Sequence, residues 1–214
     1  MNPPLPQYNA VVPNLRTAYD AMVAEREGKT LYSWKVAERA RFLAMSQAEG
    51  KHTLLEIGVG AGRDSLFFQE HGLTVTAVDL SPAMVALCRE KGIDAQVVDF
   101  ASLAAHFGAD RFDAVYAINC LLHVPKADLP PILHQIRTIL RPDGLFYWGQ
   151  YGGVDQEGVW EGDHYAPKRF FARYTDEQFK QLGAAVFTLE AFTLIPKGEG
   201  EGTFHAMILR KLDH

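Results

Sequence analysis

The sequence predicts an α/β fold: a doubly wound, mostly parallel seven-stranded sheet with an antiparallel C-terminal hairpin, and N-terminal helices as a cover. Three observations predict it. Short apolar or β-branched runs alternate with helix-period segments between residues 53 and 150. The first run leads straight into Gly58-Val59-Gly60-Ala61-Gly62, a turn rich in glycine. The last two runs are separated only by Pro196 to Gly202. That link is too short for a helical crossover, so its strands must pair antiparallel.

Each element follows from local chemistry. Residues 1–13 carry four prolines and read as an irregular start. From 14 to 46, Leu15, Ala18, Tyr19 and Met22, then Val36, Ala40 and Leu43, recur at helical spacing. This predicts two helices broken near Gly28. Residues 1–50 are read as a helical cover and 51–214 as the sheet-bearing part, one structural domain overall. A strand at 53–57 runs into the glycine turn, and a helix follows to about His71. The run at 73–78 is continuously apolar or β-branched, as a parallel strand buried on both faces must be. Ser81-Pro82 opens the next helix, with serine as N-cap and proline at the first helical position. Gly92 ends it. A third strand is expected at 93–98, a short helix at 102–106, a fourth strand at 112–118 and a helix at 128–140. Arg141-Pro142-Asp143-Gly144 closes that helix ahead of a fifth strand at 145–150. Residues 151–174 then read as one long loop rich in glycine and charge, of a length that is usually functional or mobile. Thr175 with Gln178 forms a capping box for a helix to about Leu182. Strands at 185–194 and 204–209 complete the sheet.

Composition narrows the function. Hydrophobic residues make up 48% and charged residues 22%, so the chain can bury a full core. The net charge is −5, which gives no basic field to attract a phosphate backbone and argues against nucleic acid as a partner. Two cysteines, Cys88 and Cys120, are too few for a disulfide framework and lack metal-site spacing, so no metal is expected. No apolar run reaches the length of a membrane span, and the start lacks the regions of a signal peptide; a cytoplasmic location is expected.

In an open parallel sheet, ligands bind beyond the carboxyl ends of the strands, where the winding reverses. After the first strand, Gly58, Gly60 and Gly62 let the backbone turn sharply and approach a ligand, although a tight turn needs no ligand to want them. After the second, Asp79 is the first polar residue past an apolar run. It can accept both hydroxyls of a ribose, or simply cap the helix at Ser81-Pro82. After the third, Asp99 can meet an adenine amino group or act as an N-cap. The coincidence at three successive strand ends carries the weight.

These stretches resemble a known family. Leu54-Leu55-Glu56-Ile57-Gly58-Val59-Gly60-Ala61-Gly62-Arg63-Asp64 is similar to motif I of the class I, Rossmann-like S-adenosylmethionine-dependent methyltransferases. Val78-Asp79-Leu80-Ser81-Pro82-Ala83-Met84 resembles their second motif and Val98-Asp99-Phe100 their third. Phe112-Asp113-Ala114-Val115 to Asn119, with Leu122-His123-Val124-Pro125, resembles the fourth, and Leu140 to Leu145 the turn before their fifth strand. The resemblance implies S-adenosyl-L-methionine as cofactor, methyl transfer to a small-molecule acceptor, and no nucleic-acid or membrane partner. It implies that the Gly58–Gly62 backbone passes the methionine part and that Glu56, joined by Asp64, holds its amino group. Asp79 would hold the ribose hydroxyls. Leu80 would pack on adenine, Met84 would belong to the cofactor site, Asp99 and Phe100 would meet the adenine amino group and ring, and Asn119 would face the sulfonium.

A general base is needed only if the acceptor arrives protonated. His123 is the best-placed candidate, with a packing histidine as the bland alternative. Tyr19, Trp34, Tyr151, His164 and Tyr165 are candidates to line the acceptor side. Tyr32 sits with Trp34 in the N-terminal region, where aromatic residues can equally serve to pack a cover. Two other readings stand beside this one. A NAD(P)-binding oxidoreductase needs its third glycine where Arg63 stands, and no Tyr-x-x-x-Lys pair occurs. A non-catalytic S-adenosylmethionine-binding module would keep every feature named so far.

Overall fold

The computed structural model describes residues 5–196 and 203–212. Three helices come first: α1 (Tyr8–Asp20), α2 (Val23–Gly28) and α3 (Ser33–Ala48). The expected pair broken near Gly28 is thus a trio, with one break at Ala21-Met22 and another at residues 29–32. The irregular start is shorter than the prolines suggest. Helix α1 opens at Tyr8, whose backbone N–H donates to the Asp128 carboxylate at 2.7 Å and whose ring is buried. Pro13 is accommodated inside that helix. Residues 1–4 lie outside the described residues.

The alternation continues as β1 (Thr53–Ile57), α4 (Arg63–Glu70), β2 (Thr74–Asp79), α5 (Pro82–Glu90), β3 (Asp94–Val97), α6 (Leu103–Phe107), β4 (Phe112–Ile118), α7 (Leu129–Ile139) and β5 (Leu140–Gly152). A single 3-10 turn, Phe100–Ser102, precedes α6. Strand β5 begins earlier than the sequence suggests. Leu140 pairs with Phe112 before residues 141–144 bulge out, and regular pairing resumes at Leu145 opposite Ala114. Ser81 caps α5 by accepting the Met84 N–H at 3.1 Å, and the Thr175–Gln178 box caps α8 (Asp176–Ala184).

Residues 151–174 are not the single loop expected. They hold β6 (Gln156–Val159) and β7 (Phe170–Arg173), a two-stranded antiparallel sheet in which Gln156 faces Arg173. The intervening turn is tied by the Asp163 carboxylate, which accepts from the backbone and side chain of Arg169. Glycine and charge hid these strands because each is short and carries little apolar alternation.

The main sheet has the order β3-β2-β1-β4-β5-β9-β8, with β8 (Thr188–Pro196) and β9 (Thr203–Arg210) antiparallel at one edge. Most of the link between them, residues 197–202, lies outside the described residues. Alternation along each strand sends side chains to opposite faces. Leu55, Ile57, Val115, Phe146 and Trp148 meet α1, α7 and α8 on one face. Leu54, Tyr116 and Tyr147 meet Phe42 of α3 and Phe68 of α4 on the other, and Ala77 meets Val85 and Cys88 of α5. Each of the larger buried side chains contributes roughly 1.5–3 kcal/mol. Two-sided burial fixes the register, and the register fixes which residues stand at the carboxyl ends of the strands. The winding reverses between β1 and β4, so their ends, with that of β2, define the crevice.

Candidate active site

The turn after β1 is held by its neighbour strand. The N–H groups of Gly58 and Val59 both donate to the Val78 carbonyl, at 2.8 and 3.1 Å. All three glycines have positive φ. Two of them are required by the chain's own packing. A Cβ on Gly58 would lie 2.4 Å from Cys120 Cβ, and one on Gly62 would lie 2.5 Å from Ile93 Cδ1. Gly60 faces outward instead, toward the Arg26 guanidinium, at 3.5 Å from where its Cβ would be.

Asp79, at the end of β2, ties two loop tips together. One carboxylate oxygen accepts the Gly60 N–H at 2.9 Å and the other accepts the Ser81 N–H at 2.9 Å. Burial pushes its carboxyl up, against the pull of those N–H groups and of Arg26. The ribose-binding and capping roles open to Asp79 are therefore compatible, since each oxygen keeps a second lone pair. Asp99 does cap, accepting the Ala101 N–H at 2.8 Å, and Phe100 beside it stacks on Tyr8 with ring centroids 6.2 Å apart. Leu80 and Met84 are buried.

Beneath the turn lies a buried acidic pair. Glu56 accepts the Ser65 hydroxyl, and Asp64 accepts from Arg39 at 3.1 Å. Burial first, and the Asp64 charge second, push Glu56 well above the carboxylate range. Asn119 follows β4 in the left-handed region at φ 53°, with its N–H bonded to the Gly149 carbonyl at 2.8 Å. Its side-chain oxygen is buried without a partner.

A second cluster stands beside these tips. His123 and Phe170 are joined by a 2.7 Å contact from Nδ1 to a carbonyl oxygen, which can only accept, so Nδ1 carries the proton. The Nε2 lone pair then accepts the Tyr19 hydroxyl at 2.6 Å. Arg169 donates to that same hydroxyl at 3.0 Å and is itself forked onto Asp163. Arg26 and Arg169 flank the Tyr19 ring at 5.2 and 5.3 Å, and Arg169 lies 3.4 Å from the centre of the Tyr165 ring. His164 is turned outward, beside Glu25 at 3.5 Å. Trp34 and Tyr151 form another group on Phe204, at centroid distances of 4.3 and 5.5 Å, with Tyr32 stacked on Trp34. Sequence reasoning missed Arg26 and Arg169, and read Asp163 only as one of the charges of the long loop. No local signal marks them, because Tyr19 and Arg26 stand on separate helices, α1 and α2.

Burial lowers the His123 imidazole to about 3, with the neighbouring arginines adding to the effect and the Phe170 carbonyl opposing it. The unfolded chain takes up this proton near pH 6.5, the folded chain only near 3. Stability is therefore expected to fall as pH drops through that window, by several kcal/mol in all. Denaturation midpoints measured from pH 7 to 4 should fall less steeply for His123→Gln than for the parent. An unchanged slope would remove His123 as the cause.

The fold now has relatives. A strand order that reverses between β1 and β4, an antiparallel edge and a glycine turn over an acidic strand end define the Rossmann-like class I methyltransferase fold. Residues 54–144 match the model of the methyltransferase domain family. A ubiquinone biosynthesis O-methyltransferase of Xanthomonas axonopodis pv. citri (strain 306) is 35% identical over 100 residues, 44% of this chain and 41% of that protein. A glycine N-methyltransferase of Rattus norvegicus is 30% identical over 125 residues, 50% of this chain and 43% of that one. The chain thus spans about two fifths of the length of the curated relatives it matches. Among solved structures, the 1,6-didemethyltoxoflavin-N1-methyltransferase of Burkholderia thailandensis, with 1,6-didemethyltoxoflavin and S-adenosylhomocysteine bound, has a TM-score of 0.74 at 24% identity, covering 100% of this chain and 94% of its own. The [4+2]-cyclase SpnF shares the fold at TM-score 0.66 and 19% identity, over 99% of this chain and 98% of its own. The architecture therefore also carries chemistry other than methyl transfer.

Proposed function

We propose that this chain is an S-adenosylmethionine-dependent methyltransferase acting on a small-molecule acceptor. One observation carries the reading: the carboxylate of Asp79, the outward face of Gly60 and the unpartnered Asn119 oxygen stand at the ends of the three strands around the point where the winding reverses. The donor set fits a nucleoside joined to an amino acid. Asp79 offers its free lone pairs to ribose hydroxyls, and the Glu56 and Asp64 carboxyls, which burial raises, would give up a proton to hold an ammonium. Leu80, Met84, Asp99 and Phe100 border the place for adenine, and the Asn119 oxygen turns toward a sulfonium. When bound, the cofactor supplies a methyl group already activated for displacement. What remains for the protein is to align the acceptor and exclude water.

Tyr19, Tyr165, Trp34 and Tyr151, with His164 at the rim, are read as the acceptor side. Residues 1–50 act as its cover over the part formed by residues 51–214. His123 bears on the acceptor only through Tyr19, because both of its ring nitrogens are engaged. The match to small-molecule methyltransferases and the net charge of −5 support a small acceptor over nucleic acid. Among the described residues no helix is long and apolar enough to cross a membrane.

The reading is tested by protection against unfolding. S-adenosylmethionine at a hundred times its Kd is expected to add about 2.7 kcal/mol of stability, and NAD none. Protection by NAD, or by neither compound, sinks it. Transfer of a radiolabelled methyl group to an acceptor panel then separates an enzyme from a module that only binds.

A further inference from the structure

Arg26 is the most exceptional cation near the site. It is half-buried, yet among the described residues no carboxylate lies within 4.0 Å of its guanidinium. Its Nε is buried with no partner, and its hydrogen bond to the Tyr165 hydroxyl is long, at 3.4 Å. The other arginines around the crevice are spoken for. Arg169 is forked onto Asp163, Arg63 donates to the Arg26 and Glu27 carbonyls, and Arg39, whose Nε is also buried without a partner, has the Asp64 carboxylate at 3.1 Å. A buried donor without an acceptor is costly, by more when it is charged. Such a group is expected where a ligand completes it.

Its surroundings say what kind of ligand. The fork lies beside the outward face of Gly60, with the Tyr19 ring and the Tyr165 hydroxyl around it. The charges facing it are Asp79, whose oxygens already serve two N–H groups, and the neutralised Arg169–Asp163 pair. Apart from the second lone pairs of Asp79 and the Asn119 oxygen, which the cofactor would take, the uncommitted polar groups here are donors, and the walls are aromatic. The cluster also lacks an available base, since the His123 lone pair is occupied by Tyr19.

We propose that Arg26 is the specificity-determining residue for an acceptor that carries an ionised oxygen, a carboxylate, phenolate or enolate, on a small and largely aromatic body. The guanidinium fork matches a planar oxyanion in two-point contact. An acceptor of this kind arrives deprotonated, which accounts for a site with no free base. The inference rests on the methyltransferase reading. The same chemistry has a second source, the carboxylate of the cofactor's methionine end. Glu56, Asp64 and Arg39 gather at the amino-acid end and Arg26 stands with the tyrosines, but Arg26 also lies against the outward face of Gly60, so experiment separates the two sources.

The test uses protein saturated with S-adenosylhomocysteine, titrated at pH 8 with aromatic carboxylates and their neutral amides, benzoate against benzamide and salicylate against salicylamide. At least one acid should bind tenfold or more tightly than its amide. Arg26→Gln should erase that preference while changing S-adenosylhomocysteine affinity less than threefold. If that substitution prevents folding, Arg26→Lys, which keeps the charge and loses the fork, should show an intermediate preference. Acids and amides that bind alike overturn the proposal. So does a tenfold loss of S-adenosylhomocysteine affinity in Arg26→Gln with methylthioadenosine, which lacks the amino-acid end, unaffected; the oxyanion is then the cofactor's own. Failure of the parent protein to bind S-adenosylhomocysteine sinks the methyltransferase reading itself and is seen before any acid is added.

Discussion

Asp79→Ala is expected to weaken S-adenosylmethionine binding by about 2–4 kcal/mol, a loss of roughly 30- to 1,000-fold. Two charge-assisted hydrogen bonds to ribose would go, and the damage would not stop there. The Gly60 and Ser81 N–H groups, now satisfied by the two carboxylate oxygens, would be left without acceptors. Arg26 would lose a nearby negative charge. The empty protein is therefore expected to lose about 1–3 kcal/mol of folding stability as well. Asp79→Asn separates the two effects, because an amide keeps the shape and one acceptor oxygen but can serve only one of the two loop tips. It should unfold closer to the parent while still binding cofactor poorly. Calorimetry giving parental affinity for a folded Asp79→Ala protein would remove ribose from the account of this residue.

Gly58→Ala is the second large effect. The φ of 71° is already unfavourable for a side chain, costing about 1–2 kcal/mol. The added methyl would also sit 2.4 Å from Cys120 Cβ, the root of a side chain rather than a flexible tip, so backbone has to move. Such overpacking costs typically 1–3 kcal/mol. A destabilisation of about 2–5 kcal/mol is expected in urea, together with loss of cofactor binding as the turn shifts. Removing the opposing atom with Cys120→Gly in the same chain should recover the steric part and leave the dihedral part. Gly72 is the comparison: its φ is 90°, but a Cβ there meets nothing within 4 Å. Alanine at Gly72 should cost only the dihedral share. Equal losses at the two positions would contradict the crowding argument.

Most of the sheet was readable because its signals are local. A strand buried on both faces must be continuously apolar, a serine followed by proline starts a helix, and a threonine three residues before a glutamine caps one. Each of these acts over a few residues, and β2, α5 and α8 lie where such signals put them. The loop tips were readable for the same reason, since they follow directly from strand ends. What failed to show was everything set by how distant segments meet. Nothing near Arg26 in sequence says that it lies against Gly60, and nothing near Tyr8 says that it stacks on Phe100. The bond between Tyr19 and His123 spans more than half the strands of the sheet and depends on the path of α1. Short strands such as β6 and β7 were lost differently, because four residues, in β6 with a glycine among them, leave no period to detect. The glycine triplet was read correctly as a turn, but which member faces outward is decided by Cys120 and Ile93, far along the chain.

The order β5-β9-β8 has a consequence for assembly. A strand later in the chain sits between two earlier ones, so this flank of the sheet cannot grow in the order in which residues emerge from the ribosome. Until 203–210 slots in, Thr188–Pro196 has nowhere to dock, and the flank of β5 that carries Trp148 stays open to any passing strand. Late insertion between non-local neighbours is slow, and it leaves unpaired backbone exposed in the interval. The nascent chain is thus most vulnerable to aggregation at the flank farthest from its crevice.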